Sequence, residues 1–317
     1  LSFFNQLNIS VDYFKENREG IFLQRKSIPM YVGLSTKPWV NIGKMRNSGI
    51  DASLEYHQPL GKDIHLTVRG NFTYARNRIM DQDEPDYAYT YMNRSGQMQY
   101  QKFGLVAVGL FQDQEDIDSW TKQSFGEVKP GDIKYLDLNG DGIVDSYDTK
   151  PIGYSDIPEI VYGFGFSLQW KAFDLSAFFQ GVAHVNFSTL TDQTQAFVGR
   201  NLKESSVFAD LYGNTWTPEN PGAKYPRMTT GAVDNNNQLS TFWMADGRYL
   251  RLKNLELGYT LPKRIANKIA MQSLRVYLSG VNLFTFSPFK LWDPDLQTGA
   301  TNYPNNRIIN IGLTIGF

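Results

Sequence analysis

The stretch "DIHLTVRGNFTYAR", residues 63–76, alternates without a break. Ile64, Leu66, Val68, Gly70, Phe72 and Tyr74 share one face, and Asp63, His65, Thr67, Arg69, Asn71 and Thr73 share the other. Successive side chains of a strand point to opposite faces, so a period of two marks a half-apolar β-strand, whereas a helix repeats every three or four positions. The run is also long. Strands of globular sheets average about 5–6 residues, but a tilted strand needs about 9–11 to cross a bilayer.

The same pattern recurs along the chain. In "SGIDASLEYHQ" (48–58), Ile50, Ala52, Leu54 and Tyr56 oppose Asp51, Ser53, Glu55 and His57. "EIVYGFGFSLQW" (159–170) aligns Ile160, Tyr162, Phe164, Phe166, Leu168 and Trp170. "FDLSAFFQGVAHVNF" (173–187) and "NQLNISVDYF" (5–14) repeat it. Eight long strands are expected near 1–15, 40–58, 63–78, 159–171, 173–187, 245–261, 272–286 and 306–317. The links after the second, fourth and sixth are short. Those after the first, third, fifth and seventh are long, with loops expected at 16–39, 79–158, 188–244 and 287–305. Short turns on one side and long loops on the other are the habit of outer-membrane barrels. Tyr56, Trp170, Phe173, Tyr259 and Phe317 fall near the short-turn ends, where an interfacial aromatic girdle belongs. The fold class is therefore all-β, a transmembrane antiparallel barrel with its long loops extracellular.

Composition excludes several functions. Among 317 residues there are 31 basic and 32 acidic side chains, so no bulk charge recruits nucleic acid. The absence of cysteine removes disulfides, thiolate metal sites and thiol catalysis together. No segment approaches the roughly 18 apolar residues of a membrane helix, which says nothing against strands that hide apolarity in alternation. The chain opens in strand-like sequence without an initiator Met, as a fragment or processed product would. His57 and His65 flank a short turn among charged neighbours, and lumen polarity explains them better than a catalytic dyad does. No catalytic residues and no organic cofactor are expected.

"DLNGDGIVD" (137–145) carries the densest chemistry. Asp137, Asn139 and Asp141 stand at positions 1, 3 and 5 of a calcium-type loop, Gly142 at 6, the Ile143 carbonyl at 7, Asp145 at 9 and Asp148 at 12. Gly126, Pro130, Gly131, Pro151, Gly153 and Pro158 prevent flanking helices, so an EF-hand sensor is excluded. Two readings stay open: a structural Ca²⁺ (or Mg²⁺) site that stiffens the longest loop, and an Asx-rich turn without an ion. Tyr87, Tyr89 and Tyr91 alternate in the same loop, and Trp120, Trp216 and Trp243 lie in long loops. They either stack on a ligand or partner, or pack the loops.

"IINIGLTIGF" (308–317) alternates Ile309, Ile311, Leu313 and Ile315 and ends on Phe317. It resembles the C-terminal assembly signal of bacterial outer-membrane proteins. Four segments carry a wider resemblance: "PGDIKYLDLNGDGIVD" (130–145), "NTWTPENPGAKYPRM" (214–228), "YLRLKNLELGYTLPK" (249–263) and "VNLFTFSPFKLWDPD" (281–295). They resemble signature segments of the SusC/RagA family, TonB-dependent nutrient transporters of the Gram-negative Bacteroidetes outer membrane. The resemblance implies the C-terminal portion of a barrel of about 22 strands, so that about fourteen strands, the plug and the TonB box would lie outside this chain. It also implies energy-driven import of oligosaccharides or peptides with a SusD-like surface lipoprotein as partner, TonB acting through the plug, and no covalent chemistry. Two alternatives remain at this stage: a passive porin or adhesin, and a soluble calcium-stapled glycan-binding domain or glycan hydrolase.

Overall fold

The structure, a computed structural model, describes residues 2–3, 6–191, 194–195, 208–269, 271–299 and 302–317. Parts of the expected 188–244 and 287–305 loops thus lie outside the described residues. One antiparallel sheet dominates. After a two-residue hairpin arm, Ser2–Phe3, it consists of β1 (Leu7–Gln24), β2 (Trp39–Pro59), β3 (Ile64–Asp81), β4 (Ile160–Trp170), β5 (Phe173–Ala183), β6 (Tyr249–Thr260), β7 (Ser273–Phe286) and β8 (Ile308–Gly316). Each strand pairs only with its neighbours in the chain, which is an up-and-down meander.

Register turns eight separate alternations into one continuous band. Leu54 faces Ile9 and Gly70, Phe164 faces Gly70 and Phe179, Leu257 faces Leu175 and Leu278, and Leu278 faces Ile311. All of these lie on the same face of the sheet. It stays outward and uncovered, with Val11 62% and Ile311 80% exposed. A water-facing sheet would bury such a face against a second layer. The opposite face is polar, with Arg69 bonded to Glu55 at 2.8 Å and Arg275 bonded to both Asp174 and Glu256. Glycines let large rings lie flat on the wall: a Cβ on Gly163 or Gly165 would strike the Phe178 ring. Among the described residues no helix is long and apolar enough to cross a membrane, as a strand-built span requires none.

Three details depart from the sequence reading. β1 runs to Gln24, so residues 16–24, expected in a loop, continue the strand; "KENREG" is polar on both faces and carries no alternation to read. β5 stops at Ala183 rather than near 187, because His184 adopts φ 52°. Asn186–Ser188 then pairs with Met244–Asp246 instead. In β6 the register shifts around Lys253, which keeps Leu250 and Leu252 on the same face as Leu255 and Leu257. A bulge of this kind re-aims one side chain without losing the pairing.

The buried core is not in the wall but at its long-loop end. Leu105, Leu110, Ile133, Tyr135, Val144, Leu211, Trp216, Tyr225 and Trp243 form one cluster, drawn from the β3–β4 and β5–β6 connections. A wall that has lipid on one side and a lumen on the other has no interior of its own.

Candidate functional site

The two longest connections fold into a single body above the wall. Ala107–Leu110 pairs with Ile133–Tyr135, Lys122–Gln123 with Ile143–Val144, and Phe103–Gly104 with Lys150–Pro151. The segment 234–237, "DNNN", reads as a solvated loop yet is the stitch between the two connections. Buried Asn235 donates to the Ile133 carbonyl at 2.8 Å and accepts from Gln123 at 2.6 Å. Asn236 accepts from the Ile133 amide at 2.8 Å and donates to Asp132 at 2.9 Å. Arg227 grips the same fully buried Asp132 through two nitrogens, at 2.8 and 3.2 Å. Tyr135 donates its hydroxyl to the Asn235 carbonyl at 2.8 Å, and its burial pushes the phenol well above its ordinary range. Buried polar groups without such partners would cost heavily, so this network specifies one arrangement of the two loops.

The aromatic candidates divide by burial. Trp216 and Trp243 are 8% and 3% exposed and sit in the loop core, and the Trp243 indole donates to the Asn236 carbonyl at 2.8 Å. Packing, the alternative reading of these rings, is where the structure places them. Trp120 is half-buried, donates to the Tyr135 carbonyl at 2.9 Å, and holds the Lys134 ammonium 3.9 Å above its ring. Tyr89 and Tyr91 stack in parallel at 5.3 Å, the Tyr89 ring meets Tyr147 edge-on, and Tyr91 donates to the Tyr147 carbonyl at 2.8 Å. The pair thus ties residues 89–91 to the Asp-rich loop. Tyr87 is half-buried nearby.

In that loop the carboxylates face backbone amides. Asp137 accepts from Gly140 at 2.7 Å and Gly142 at 2.9 Å, Asn139 from Asp141 at 3.0 Å, and Asp141 from Ile143 at 2.9 Å. Asp145 accepts from Tyr147 at 2.7 Å, and Asp148, fully buried, from Leu138 at 2.6 Å and Asp145 at 2.8 Å. Oxygen donors of this kind suit a hard cation. Among the described residues, however, no three acidic or histidine side chains converge as metal ligands.

Two charge clusters absent from the sequence reading fasten the loops to the wall. Arg76 chelates buried Glu159 at 2.5 and 2.7 Å, and His184, lying flat on Tyr154 at 4.5 Å, approaches the same carboxylate at 3.2 Å. Arg251, 1% exposed, reaches from β6 to Asp293 at 2.5 Å, Asp295 at 2.7 Å and Thr285 at 3.0 Å. It thereby pins the β7–β8 connection. At the other end, Ile309, Ile311, Leu313 and Ile315 of the last strand all face outward beside Phe317.

Comparison with known proteins followed the same lines. No family model matches the chain. It is 28% identical over 99% of its length to TonB-dependent receptor P3 of Formosa agariphila, covering 33% of that receptor. It is 24% identical over 96% of its length to the TonB-dependent receptor SusC of Bacteroides thetaiotaomicron, covering 29% of it. The structure of the RagAB peptide transporter superposes with a TM-score of 0.71 at 22% identity, over 99% of this chain and 34% of that one. The chain therefore spans about a third of the length of the curated relatives it matches. These relatives are receptors and transporters rather than enzymes, in keeping with the absence of any catalytic constellation in the sequence reading. With the outward apolar band and the matching fold, these similarities liken the chain to part of the β-barrel of outer-membrane TonB-dependent receptors, SusC among them.

Proposed function

We propose that the chain supplies wall and loop platform to a TonB-dependent importer of oligosaccharides or peptides, and that a SusD-like lipoprotein docks on the platform. The observation that carries this reading is the folded body at the long-loop end. Two long loops that only bordered a passive pore would not need a shared core and a buried polar network. Order of this kind suits a surface that must present a fixed shape to a partner. The relatives support it: one solved structure is of a peptide importer, and SusC is a TonB-dependent receptor. In the intact protein the platform faces outward, TonB acts through segments that this chain does not include, and the barrel performs no covalent chemistry.

Uptake of labelled oligopeptide and of labelled oligosaccharide, in cells with and without TonB, tests the reading. Import that stops when TonB is deleted or the proton gradient is collapsed is expected. Import that persists would make the protein a passive porin. We further propose that Ca²⁺ or Mg²⁺ stiffens the Asp137–Asp148 loop when the Asp137, Asn139, Asp141 and Asp148 side chains turn toward one point with the Ile143 carbonyl. Native mass spectrometry of the purified protein showing no retained divalent ion would refute that part alone.

A further inference from the structure

At the end opposite the loop platform, three turns join the wall strands: residues 60–63, 171–172 and 261–272. Their charges are one-sided, with Lys62, Lys171, Lys263, Arg264 and Lys268 set against Asp63. The whole chain carries 31 basic and 32 acidic side chains, so this bias is a local segregation. The longest of these turns, between β6 and β7, folds into a single helical turn, Lys263–Ala266, and a 3₁₀ turn, Asn267–Ile269. Ala266 is fully buried and seats it, while Lys263, Arg264 and Lys268 are exposed, as is Ile265 at 49%. The carboxylates on the adjoining strands, Asp174 and Glu256, are both held by Arg275. Among the described residues no acid pairs with any of the three exposed cations.

The depth of this turn is set by its neighbours. Trp170, Phe173 and Tyr259 stand in a row on the outward face at the ends of β4, β5 and β6, with ring centroids 6.2 and 4.7 Å apart. Tyr259 lies two residues before the turn begins. Trp and Tyr collect at the level of lipid headgroups, where an amphipathic ring meets both phases. Lysine and arginine at such a level place their charge among headgroup phosphates while their aliphatic stems lie along the apolar edge.

We propose that the β6–β7 turn is a docking site for anionic phospholipid headgroups: Lys263, Arg264 and Lys268 hold the phosphates, and Ile265 enters the acyl boundary. The proposal rests on the reading of the wall as a membrane barrel. The exposed Ile265 and the adjoining aromatic row favour a lipid over a soluble anion, which would make no use of either.

The test uses the intact receptor, placed in bilayers of phosphatidylcholine and phosphatidylglycerol in equal parts and then analysed by native mass spectrometry for co-retained lipid. Each cation near an anionic surface strengthens binding by about fivefold. Phosphatidylglycerol is expected to be enriched, and K263Q/R264Q/K268Q is expected to lose that enrichment by a factor on the order of a hundred. Raised salt should weaken it in the same direction. The control K122Q/K129Q, at the loop end, should leave it unchanged. Undiminished enrichment in the triple variant, or displacement of the lipid by soluble glycerol phosphate, would overturn the proposal. Failure of the unmodified receptor to enter these bilayers would instead overturn the barrel reading, and this site with it.

Discussion

Asp148 lies fully buried at the hinge of the loop that looks most like a metal site. Its two oxygens accept from the amides of Leu138, Asn139 and Asp145. Asp148→Ala leaves those donors without a partner, a cost of about 1–3 kcal/mol. Hydrogen exchange should accelerate at residues 138–145 and nowhere on the wall. If an ion also holds the loop, a chelator alone will produce the same change in the unmodified protein. Asp83 has a similar role at a different place. Burial favours its protonated form, but bonds from Ser27, Arg25 and the Lys26 amide outweigh this and hold its carboxyl below the usual range. A depressed folded value means the stabilisation is complete above the ordinary carboxylate pKa and is lost as pH falls through the folded one. Protection of the Lys26 and Ser27 amides should therefore persist at pH 5 and fail only in strong acid. Early loss near pH 5 would contradict the pairing.

Elements differ in how they are held. The loop body depends on its own core, so Trp243→Ala should cost about 3–5 kcal/mol there. Limited proteolysis should then open residues 208–244 while the wall stays protected. Unchanged cleavage would mean that the two loops are not interdependent. Arg251 is the ionic tie of the β7–β8 connection, beside Gln297 on the Asp156 carbonyl and Phe289 and Trp292 against Phe187. Arg251→Met removes the guanidinium from Asp293 and Asp295, the latter keeping Asn305, at a cost of about 1–3 kcal/mol. Spin labels in residues 291–297 should become mobile in that variant and remain fixed in Arg251→Lys only if a single amine can replace the fork. The sequence made the strands legible because a lipid face and a lumen face force a period of two. It did not make the loop body legible. Asn235, Asn236 and Asp132 look solvated in isolation, and only contacts roughly a hundred residues apart in the chain bury them. The reading of Trp216 and Trp243 stayed open for the same reason, since an aromatic in a polar loop reads alike whether it meets a ligand or a core.

At the scale of the whole molecule, the order of short and long connections carried the architecture. A meander gains from short turns at one end, whereas only a functional need lengthens every link at the other. That parity was visible in spacing alone and corresponds to the separation of the apolar band from the buried loop core. Register was not visible. The slip around Lys253 and the early stop of β5 at His184 depend on backbone geometry that no alternation encodes. The central claim is that one face of this sheet lies in lipid and the other lines water. The chain contains no cysteine, so single cysteines can be placed along residues 160–183 in the intact receptor, leaving out the close-packed Gly163, Gly165 and Gly181. Each is then labelled with a nitroxide and scored for contact with oxygen in the lipid and with a water-soluble nickel chelate. Positions 162, 164, 166, 168, 175, 177 and 179 should respond to oxygen, and 161, 167, 169, 174 and 176 to the chelate. Equal access of the chelate to both sets would contradict the membrane wall.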